Sequence, residues 1–423
     1  MGCKVNQYET EAISKLFQSN GYEIVDDINA ADIIVVNTCA VTSLSSQKSR
    51  QIIRRAIRAN PNAIMCVMGC YAQNSPQEIS SIDGVDVIVG TADRMKIVEF
   101  VEEAIKNRGN KILRVDDVEK ISEFEELPHT PQRTRAFLKI EDGCNNFCAY
   151  CIIPYLRGRV RSRSLENIRA ECIQLAAAGY REIVLTGIHI GAYGQDFKNK
   201  VNLVDAIKNV LETANPYRVR LGSIESAEMS DELIDLMKSD ERICNHVHLP
   251  LQSGSDEILK LMRRPYTTKN FAALTEKLIK KIPDISIGTD LIVGFPNETD
   301  KNFEETLDFI KSQPFSKIHV FPFSAREGTL AATMNNQIPA QIKKLRANQA
   351  LEISASKEKF FAEKLIGKTV EIIAETETDN LIDGLTKNYV RIYIPADSEI
   401  KSGDIVKVKV EKIFRNGIFG NKI

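Results

Sequence analysis

The chain lacks an excess of charge of either sign and lacks any long apolar run. Its 423 residues include 56 Lys and Arg against 57 Asp and Glu, so any nucleic-acid contact must come from local basic patches. No stretch approaches the ~18 apolar residues that cross a bilayer. The start lacks the apolar core of a signal peptide, and Asn6 stands where a myristoylation pattern needs Ser or Thr. These absences exclude a membrane protein and predict a cytoplasmic one.

Cysteine is present, and its placement is informative. A cytoplasmic chain with nine cysteines is expected to use them as metal ligands, redox groups or buried thiols rather than in disulfides. Cys144, Cys148 and Cys151 have the spacing C-x3-C-x2-C, with Tyr150 just before the last cysteine. Structural zinc needs four ligands, whereas a four-iron cluster on three thiolates keeps one iron open. The spacing therefore favours a reactive cluster over a zinc knuckle.

A second group consists of Cys3, Cys39 and Cys70. Cys39 and Cys70 each follow a predicted buried strand, and the carboxyl ends of parallel strands share one edge of a sheet. Cys3 would join them if the chain before it formed a first strand. The alternative is that these are unrelated buried thiols, because free cysteine packs as a small hydrophobe.

The hydrophobic pattern divides the chain into three domains. Residues 1–120 alternate strands (31–38, 63–68, 85–89) with a helix (45–59), which predicts a parallel, Rossmann-like sheet. Residues 118–135 look like a linker. Residues 136–357 contain six strand–helix units, which predict a partial (β/α)6 barrel followed by a helix over 340–364. The six predicted strands are 137–140, 182–185, 218–222, 246–249, 286–293 and 317–321.

Residues 365–423 predict a small all-β barrel of the kind that binds nucleic acids. Its predicted strands are 370–374, 390–394, 405–410 and 412–414, with turns at Gly384, Gly403 and Gly417. The overall fold class is therefore α/β with a separate all-β module.

The cysteine motif inside a partial βα barrel resembles the radical S-adenosylmethionine superfamily. Further motifs look like the methylthiotransferases of that superfamily, closest to the subgroup that acts on N6-threonylcarbamoyladenosine in tRNA. The family's short first strand before Gly2 and Cys3 is missing from this chain. The motifs are Gly2-Cys-Lys-Val-Asn-Gln-Tyr-Glu9, Asn37-Thr-Cys39, Gly69-Cys70, Pro154-Tyr-Leu-Arg-Gly-Arg-Val-Arg-Ser-Arg163 and Leu249-Pro-Leu-Gln-Ser-Gly254.

The resemblance implies two [4Fe-4S] clusters and S-adenosylmethionine as methyl donor and radical source. Cys144, Cys148 and Cys151 would hold the cluster that binds and cleaves S-adenosylmethionine. The Cys3, Cys39 and Cys70 group would hold an auxiliary, sulfur-delivering cluster. The product would be the 2-methylthio form of N6-threonylcarbamoyladenosine next to the anticodon. No catalytic residue beyond the cluster ligands is identified.

Two alternatives remain open. The same chemistry could act on isopentenyladenosine in tRNA or on a ribosomal-protein aspartate. A different class is a non-catalytic RNA-binding protein with zinc at Cys144, Cys148 and Cys151.

Four residues are candidates for binding the cofactor. Gly187, Glu225, Gln252 and Gly294 each follow a predicted barrel strand. Strand ends of such barrels form the active face, and the resemblance places these regions near S-adenosylmethionine. The alternative for each is an ordinary loop.

The expected partners are a tRNA anticodon stem-loop, bound partly by a TRAM-like C-terminal barrel, and an electron donor such as flavodoxin or ferredoxin. Arg157, Arg159, Arg161 and Arg163 alternate after the cysteine motif, and an extended chain would present them as one row to phosphates. A second basic group lies on the helix after Cys39, although a solvated charged face is the simpler explanation for it. Its members are Lys48, Arg50, Arg54, Arg55 and Arg58.

Overall fold

The N-terminal domain is a four-stranded parallel sheet with helices on both faces. The computed structural model describes residues 2–423. Thr38 pairs with Gly69 across the first two strands, so both strands end at the same level. The strands, in spatial order, are β1 Ile33–Thr38, β2 Ile64–Gly69, β3 Val87–Val89 and β4 Ile112–Arg114. The helices are α1 Lys4–Ser19, α2 Ser43–Ala59, α3 Cys70–Asn74, α4 Pro76–Ser80 and α5 Ile97–Lys106.

Helix α1 was missed by the sequence analysis, although its pattern is helical. Val5, Tyr8, Ala12 and Leu16 recur at the three- and four-residue spacing of one helix face, and all four are buried. The helix begins directly after Cys3 and therefore fixes where this cysteine lies.

The central domain confirms the six predicted parallel strands. Two three-stranded sheets are joined by parallel bridges from Val219 to Ile243 and from Ser223 to His248. Alternate residues such as Val219 and Val247 pack against the outer helices. No helix within residues 2–423 is long and apolar enough to cross a bilayer. The barrel strands are β5 Ala136–Lys139, β8 Glu182–Thr186, β9 Arg218–Leu221, β10 His246–His248, β11 Ser286–Val293 and β12 Lys317–Pro322, and β6 Glu141–Asp142 pairs with β7 Arg161–Ser162.

The helices of the central domain follow the strands in sequence. Predicted helices over 165–178, 303–311 and 340–364 are present within one to three residues of the expected ends. The helices are α6 Ile153–Arg157, α7 Leu165–Ala177, α8 Leu203–Ala214, α9 Asp231–Ser239, α10 Asp256–Leu261, α11 Thr268–Lys281, α12 Asp300–Ser312, α13 Leu330–Thr333 and α14 Ala340–Glu363.

The C-terminal domain is a closed five-stranded barrel. The turn predicted at Gly384 is wrong, because Gly384 lies inside a strand that the sequence analysis missed. A Cβ at this position would lie 2.4 Å from the Ile373 carbonyl oxygen, so glycine here permits two strands to approach closely. The strands are β13 Thr369–Thr378, β14 Leu381–Thr386, β15 Arg391–Pro395, β16 Ile405–Phe414 and β17 Gly417–Lys422, in the order β13-β14-β15-β17-β16.

This C-terminal barrel docks on the amino ends of the central strands. Arg218, the first residue of β9, donates to the Leu385 carbonyl at 2.9 Å. Arg220 donates to the Lys387 carbonyl at 3.0 Å and is held by Glu182 at 2.7 Å. The barrel therefore lies at the opposite end of the strands from their carboxyl ends.

The linker is anchored by His129. Its Nδ1 lies 2.8 Å from Glu171 of α7, and its Nε2 lies 3.0 Å from Glu11 of α1. Tyr8 packs on the imidazole ring, while Arg163 pairs with Glu171 and Arg133 with Glu11. Burial lowers the pKa of His129, but the hydrogen bonds to Glu11 and Glu171 outweigh burial, so the pKa is raised.

A raised pKa in the folded state makes this anchor dependent on pH. The stabilisation is complete below the unfolded pKa of about 6.5 and is lost as the pH rises through the higher folded pKa. We expect the melting temperature of His129→Gln to lie below wild type by an amount that is largest near pH 6 and shrinks at alkaline pH. Each kcal/mol corresponds to about 2 to 4 °C.

Scanning calorimetry across this pH range measures the difference. Glu11→Gln serves as a control. Loss of this carboxylate lowers the pKa of His129 in the folded state, so the pH range in which the stabilisation is lost moves to lower pH. A difference between wild type and His129→Gln that is constant with pH would contradict the assignment.

Candidate active site

Cys144, Cys148 and Cys151 lie in the loop between β6 and α6, at the carboxyl end of β5. Cys148 is buried, and the other two thiols are half-buried. Burial raises the pKa values of Cys144 and Cys151 to about 12, and neighbouring cysteines of the group contribute in both cases. The loop thus gathers three thiols whose ionisation a bound metal cluster would have to favour.

Arg264 donates to one of these sulfurs and was missed by the sequence analysis. Its Nη1 lies 3.1 Å from Cys148 Sγ, and its Nε lies 3.0 Å from the Tyr266 hydroxyl. An ion pair with Glu225 holds the guanidinium in place. Glu225 follows β9 and Arg264 follows α10, so the two residues are distant in sequence. The sequence analysis named Glu225 as a candidate but gave no signal for Arg264.

His189 and Glu141 lie on the other side of Cys144. His189 Nδ1 is 3.6 Å from Cys144 Sγ, and the His189 amide donates to Glu141 at 2.6 Å. Burial raises the pKa of Glu141 well above its usual range, and the hydrogen bond from the His189 amide opposes this effect. A Cβ at Gly187 would lie 2.7 Å from Glu141, and glycine permits this close approach.

The four cofactor candidates all lie at the carboxyl ends of barrel strands. Gly187, Glu225, Gln252 and Gly294 follow β8, β9, β10 and β11, respectively. Glu225 is the one joined to the cysteine loop, through Arg264. Gln252 has a left-handed backbone with φ of 68°, which a non-glycine residue adopts at a cost. The Gly294 amide donates to Glu298 at 2.8 Å. Cofactor binding by these residues stays a prediction.

The second cysteine group lies at the ends of neighbouring elements of the N-terminal domain. Cys39 follows β1, and Cys70 begins α3 directly after β2, as the shared sheet edge predicts. The Asn6 side chain donates to the Thr38 carbonyl at 2.9 Å and holds the start of α1 at the end of β1. Cys3 Sγ lies 3.7 Å from Asn6 Oδ1. Arg157 donates to the same oxygen at 3.3 Å and to Cys70 Sγ at 3.4 Å, so one guanidinium links the surroundings of Cys3 and Cys70. Their role as ligands stays a prediction.

The two cysteine groups are neighbours across the domain boundary. Helix α6, which begins two residues after Cys151, packs against α3, which begins at Cys70. The Thr91 hydroxyl donates to the Leu156 carbonyl of α6 at 2.5 Å. The contact between α3 and α6 therefore joins the elements that carry the two groups.

The predicted row of phosphate-binding arginines is wrong for three of its four members. Arg157, Arg161 and Arg163 are buried, and only Arg159 is exposed. The chain is not extended here, because α6 ends at Arg157 and Gly158 turns with φ of 75°. Carboxylates from other elements of the fold neutralise the buried guanidinium groups. They are Glu9 and Asp142 for Arg157, Asp142 for Arg161, and Glu126 and Glu171 for Arg163.

The thiols of the 144–151 loop are soft ligands of the kind that hold iron–sulfur clusters. Within residues 2–423, no three His, Cys, Asp or Glu side chains lie close enough together to ligate one metal ion. Ligands to separate irons of a cluster need not converge on one point. Thiolates with N–H donors nearby are the usual environment of such clusters.

Comparison with known proteins agrees with this geometry. The radical SAM superfamily matches residues 138–310, and the uncharacterized protein family UPF0004 matches residues 1–90. The chain is 45% identical over 421 residues to the threonylcarbamoyladenosine tRNA methylthiotransferase MtaB of Bacillus subtilis, covering 97% of this chain and 92% of that protein. It is 35% identical to the protein of the same name from Thermotoga maritima, covering 99% and 94%.

A relative with a different name is also similar. The tRNA-2-methylthio-N(6)-dimethylallyladenosine synthase of Clostridium novyi is 38% identical, covering 90% of this chain and 85% of that protein. Among solved structures, the radical S-adenosylmethionine methyltransferase TsrM of Kitasatospora setae has a TM-score of 0.57 at 15% identity, covering 77% of this chain and 73% of that one.

Fold and site together define a radical S-adenosylmethionine enzyme. The chain belongs to the methylthiotransferase family within that superfamily. The family implies a [4Fe-4S] cluster and S-adenosylmethionine, and the three thiols of the 144–151 loop are the donor set that fits this cluster.

Proposed function

We propose that this enzyme methylthiolates carbon 2 of N6-threonylcarbamoyladenosine next to the anticodon of tRNA. The observation that carries the proposal is 45% identity over nearly the full chain to a protein named for this reaction. The two neighbouring cysteine groups support it, because the reaction needs both a radical source and a sulfur source. The reaction takes place in the cytoplasm, with a flavodoxin or ferredoxin as electron donor.

The residues divide this work between them. Cys144, Cys148 and Cys151 would hold the cluster that supplies the electron for cleavage of S-adenosylmethionine, and Arg264 would orient Cys148. Cys3, Cys39 and Cys70 would hold the auxiliary cluster, which would supply the sulfur. The buried Glu141 and the His189 backbone keep the loop beside Cys144 in place.

The proposed substrate can be tested against its nearest rival. Reconstituted protein with dithionite and S-adenosylmethionine should convert N6-threonylcarbamoyladenosine in tRNA to its 2-methylthio form, measured by mass spectrometry of nucleosides. The same protein should leave isopentenyladenosine in a matched tRNA unchanged. Conversion of isopentenyladenosine alone would transfer the assignment to the reaction named for the Clostridium novyi relative.

The two-cluster assignment predicts iron content. Anaerobically reconstituted wild type should hold about eight irons per chain. Replacing either cysteine group by alanine should leave about four, while Cys172→Ala should keep the wild-type value, because Cys172 is buried in the core away from both groups. A protein without Cys3, Cys39 and Cys70 that retains the wild-type iron content would contradict the auxiliary site.

Helix α2 is the basic surface that we assign to the tRNA backbone. Lys48, Arg54, Arg55 and Arg58 are exposed, and none of them makes an ion pair or side-chain hydrogen bond within residues 2–423. The helix begins at Ser43, four residues after Cys39. The Ser43 amide donates to the side chain of Ser324, which follows β12, at 3.1 Å. Unpaired cations beside the candidate active site suit a polyanion.

A second contact is proposed on the C-terminal barrel. Tyr393, Phe414 and Phe419 form a half-buried aromatic cluster with ring centroids 5.5 and 5.8 Å apart. The Arg415 guanidinium lies 5.2 Å from the centre of the Phe414 ring. Aromatic rings with cations between them are typical of surfaces that stack on unpaired bases.

Salt dependence separates these two surfaces. Binding of tRNA should weaken with salt, and the slope of log K against log salt should fall by roughly one for each of Arg54→Gln, Arg55→Gln and Arg58→Gln. Phe414→Ser should weaken binding with little change in slope, because stacking releases no counterions. Filter binding at several salt concentrations measures both.

A matched control lies on helix α11. Lys269 and Lys280 are exposed and make no ion pair in the part of the chain that the structure describes. Replacing both by Gln should leave the slope unchanged. Equal losses from the α2 and α11 variants would mean that only net charge matters.

A further inference from the structure

Arg157 lies in the interior between the two cysteine groups, and its guanidinium is fully used. Nη1 donates to Glu9 at 2.8 Å and to Asp142 at 3.0 Å. Nη2 donates to the second oxygen of Glu9 at 3.0 Å and to Asn6 at 3.3 Å. Because the planar fork is held from two sides, its third nitrogen points in a fixed direction.

That third nitrogen points at a sulfur. Arg157 Nε lies 3.4 Å from Cys70 Sγ. Both residues are buried, with 1% and 3% of their surfaces exposed. Water therefore screens the pair little, and the positive charge acts on the sulfur at nearly full strength.

Asp142 links this contact to the other cysteine group. It lies two residues before Cys144 on the strand that leads into the cysteine loop, while Glu9 lies on the helix that begins after Cys3. Arg157 therefore contacts elements that carry cysteines of both groups, namely helix α1 through Glu9 and strand β6 through Asp142.

We propose that Arg157 is a positioning residue for the auxiliary cluster, which holds the Cys70 ligand and raises the reduction potential of that cluster. The inference rests on the proposed role of Cys3, Cys39 and Cys70 as ligands. Hydrogen bonds to cluster sulfurs and nearby charge set the potential of an iron–sulfur centre. A fixed positive charge stabilises the reduced form of the cluster, which carries one more electron. The reduction potential of the cluster therefore rises.

The structure offers a matched control in Arg94. Arg94 is also buried and pairs with the same two carboxylates, Glu9 and Asp142, the second at 3.5 Å. It makes no hydrogen bond to a cysteine within residues 2–423. If unpaired carboxylates alone caused a loss of iron or a shift in potential, replacing either arginine would cause it.

The test uses full-length protein with Cys144, Cys148 and Cys151 replaced by alanine, so that the auxiliary cluster is the one observed. Arg157→Gln, Arg157→Lys and Arg94→Gln are added separately. Iron and sulfide per chain are measured, and the midpoint potential is determined by a dithionite titration followed by electron paramagnetic resonance.

We expect the potential to become more negative in Arg157→Gln, to lie in between in Arg157→Lys, and to shift less in Arg94→Gln than in Arg157→Gln, because Arg94 is a nearby charge that makes no hydrogen bond to the sulfur. Loss of iron from Arg157→Gln with full iron in Arg94→Gln also supports the proposal. An unchanged potential in a loaded Arg157→Gln overturns it, as does an equal shift or an equal loss of iron in Arg94→Gln. A parent protein without iron would overturn the auxiliary site itself, and the role of Arg157 with it.

Discussion

The ion pairs around the buried Glu9 hold the N-terminal and central domains in one arrangement. Glu9 is fully buried and meets Arg94, Lys139 and Arg157. Burial alone would raise the pKa of Glu9, but Arg157, Arg94 and Lys139 hold it below its usual range. A buried carboxylate is tolerated only while it is paired. Because Glu9 belongs to α1 and Arg157 ends α6, neither cysteine group can move far without breaking these pairs.

The same cluster of charges would favour the thiolate form of Cys70. Burial alone would raise the pKa of Asp142. Four nearby cations outweigh burial and hold this pKa well below its usual range, so the carboxylate stays charged. The cations are Arg157, Lys139, Arg161 and Arg94. Positive charge beside a thiol favours its thiolate form, which is the form that binds iron. Burial raises the pKa of Cys70, and Arg157 opposes that effect. The buried Arg157 would therefore suit the cluster that we propose at Cys3, Cys39 and Cys70.

Sequence patterns predicted the scaffold well and the side-chain environment poorly. The six barrel strands and the sheet-edge position of Cys39 and Cys70 followed from local hydrophobic periodicity, which depends on neighbours in sequence. The arginine row failed because burial of Arg163 depends on Glu171 and on Glu126, which lies 37 residues away in the chain. The inward position of Arg264 likewise depends on Glu225, 39 residues away. Such pairs are invisible without the fold.

The C-terminal barrel is fixed to the rest of the enzyme by buried contacts. Arg218 and Arg220 anchor it at the amino ends of the central strands, whereas the 144–151 loop lies at their carboxyl ends. Lys4, at the start of α1, lines one cavity together with Tyr389 of the barrel. The barrel therefore forms a wall beside the first turn of α1, and a change in its docking would displace the helix that positions the first cysteine.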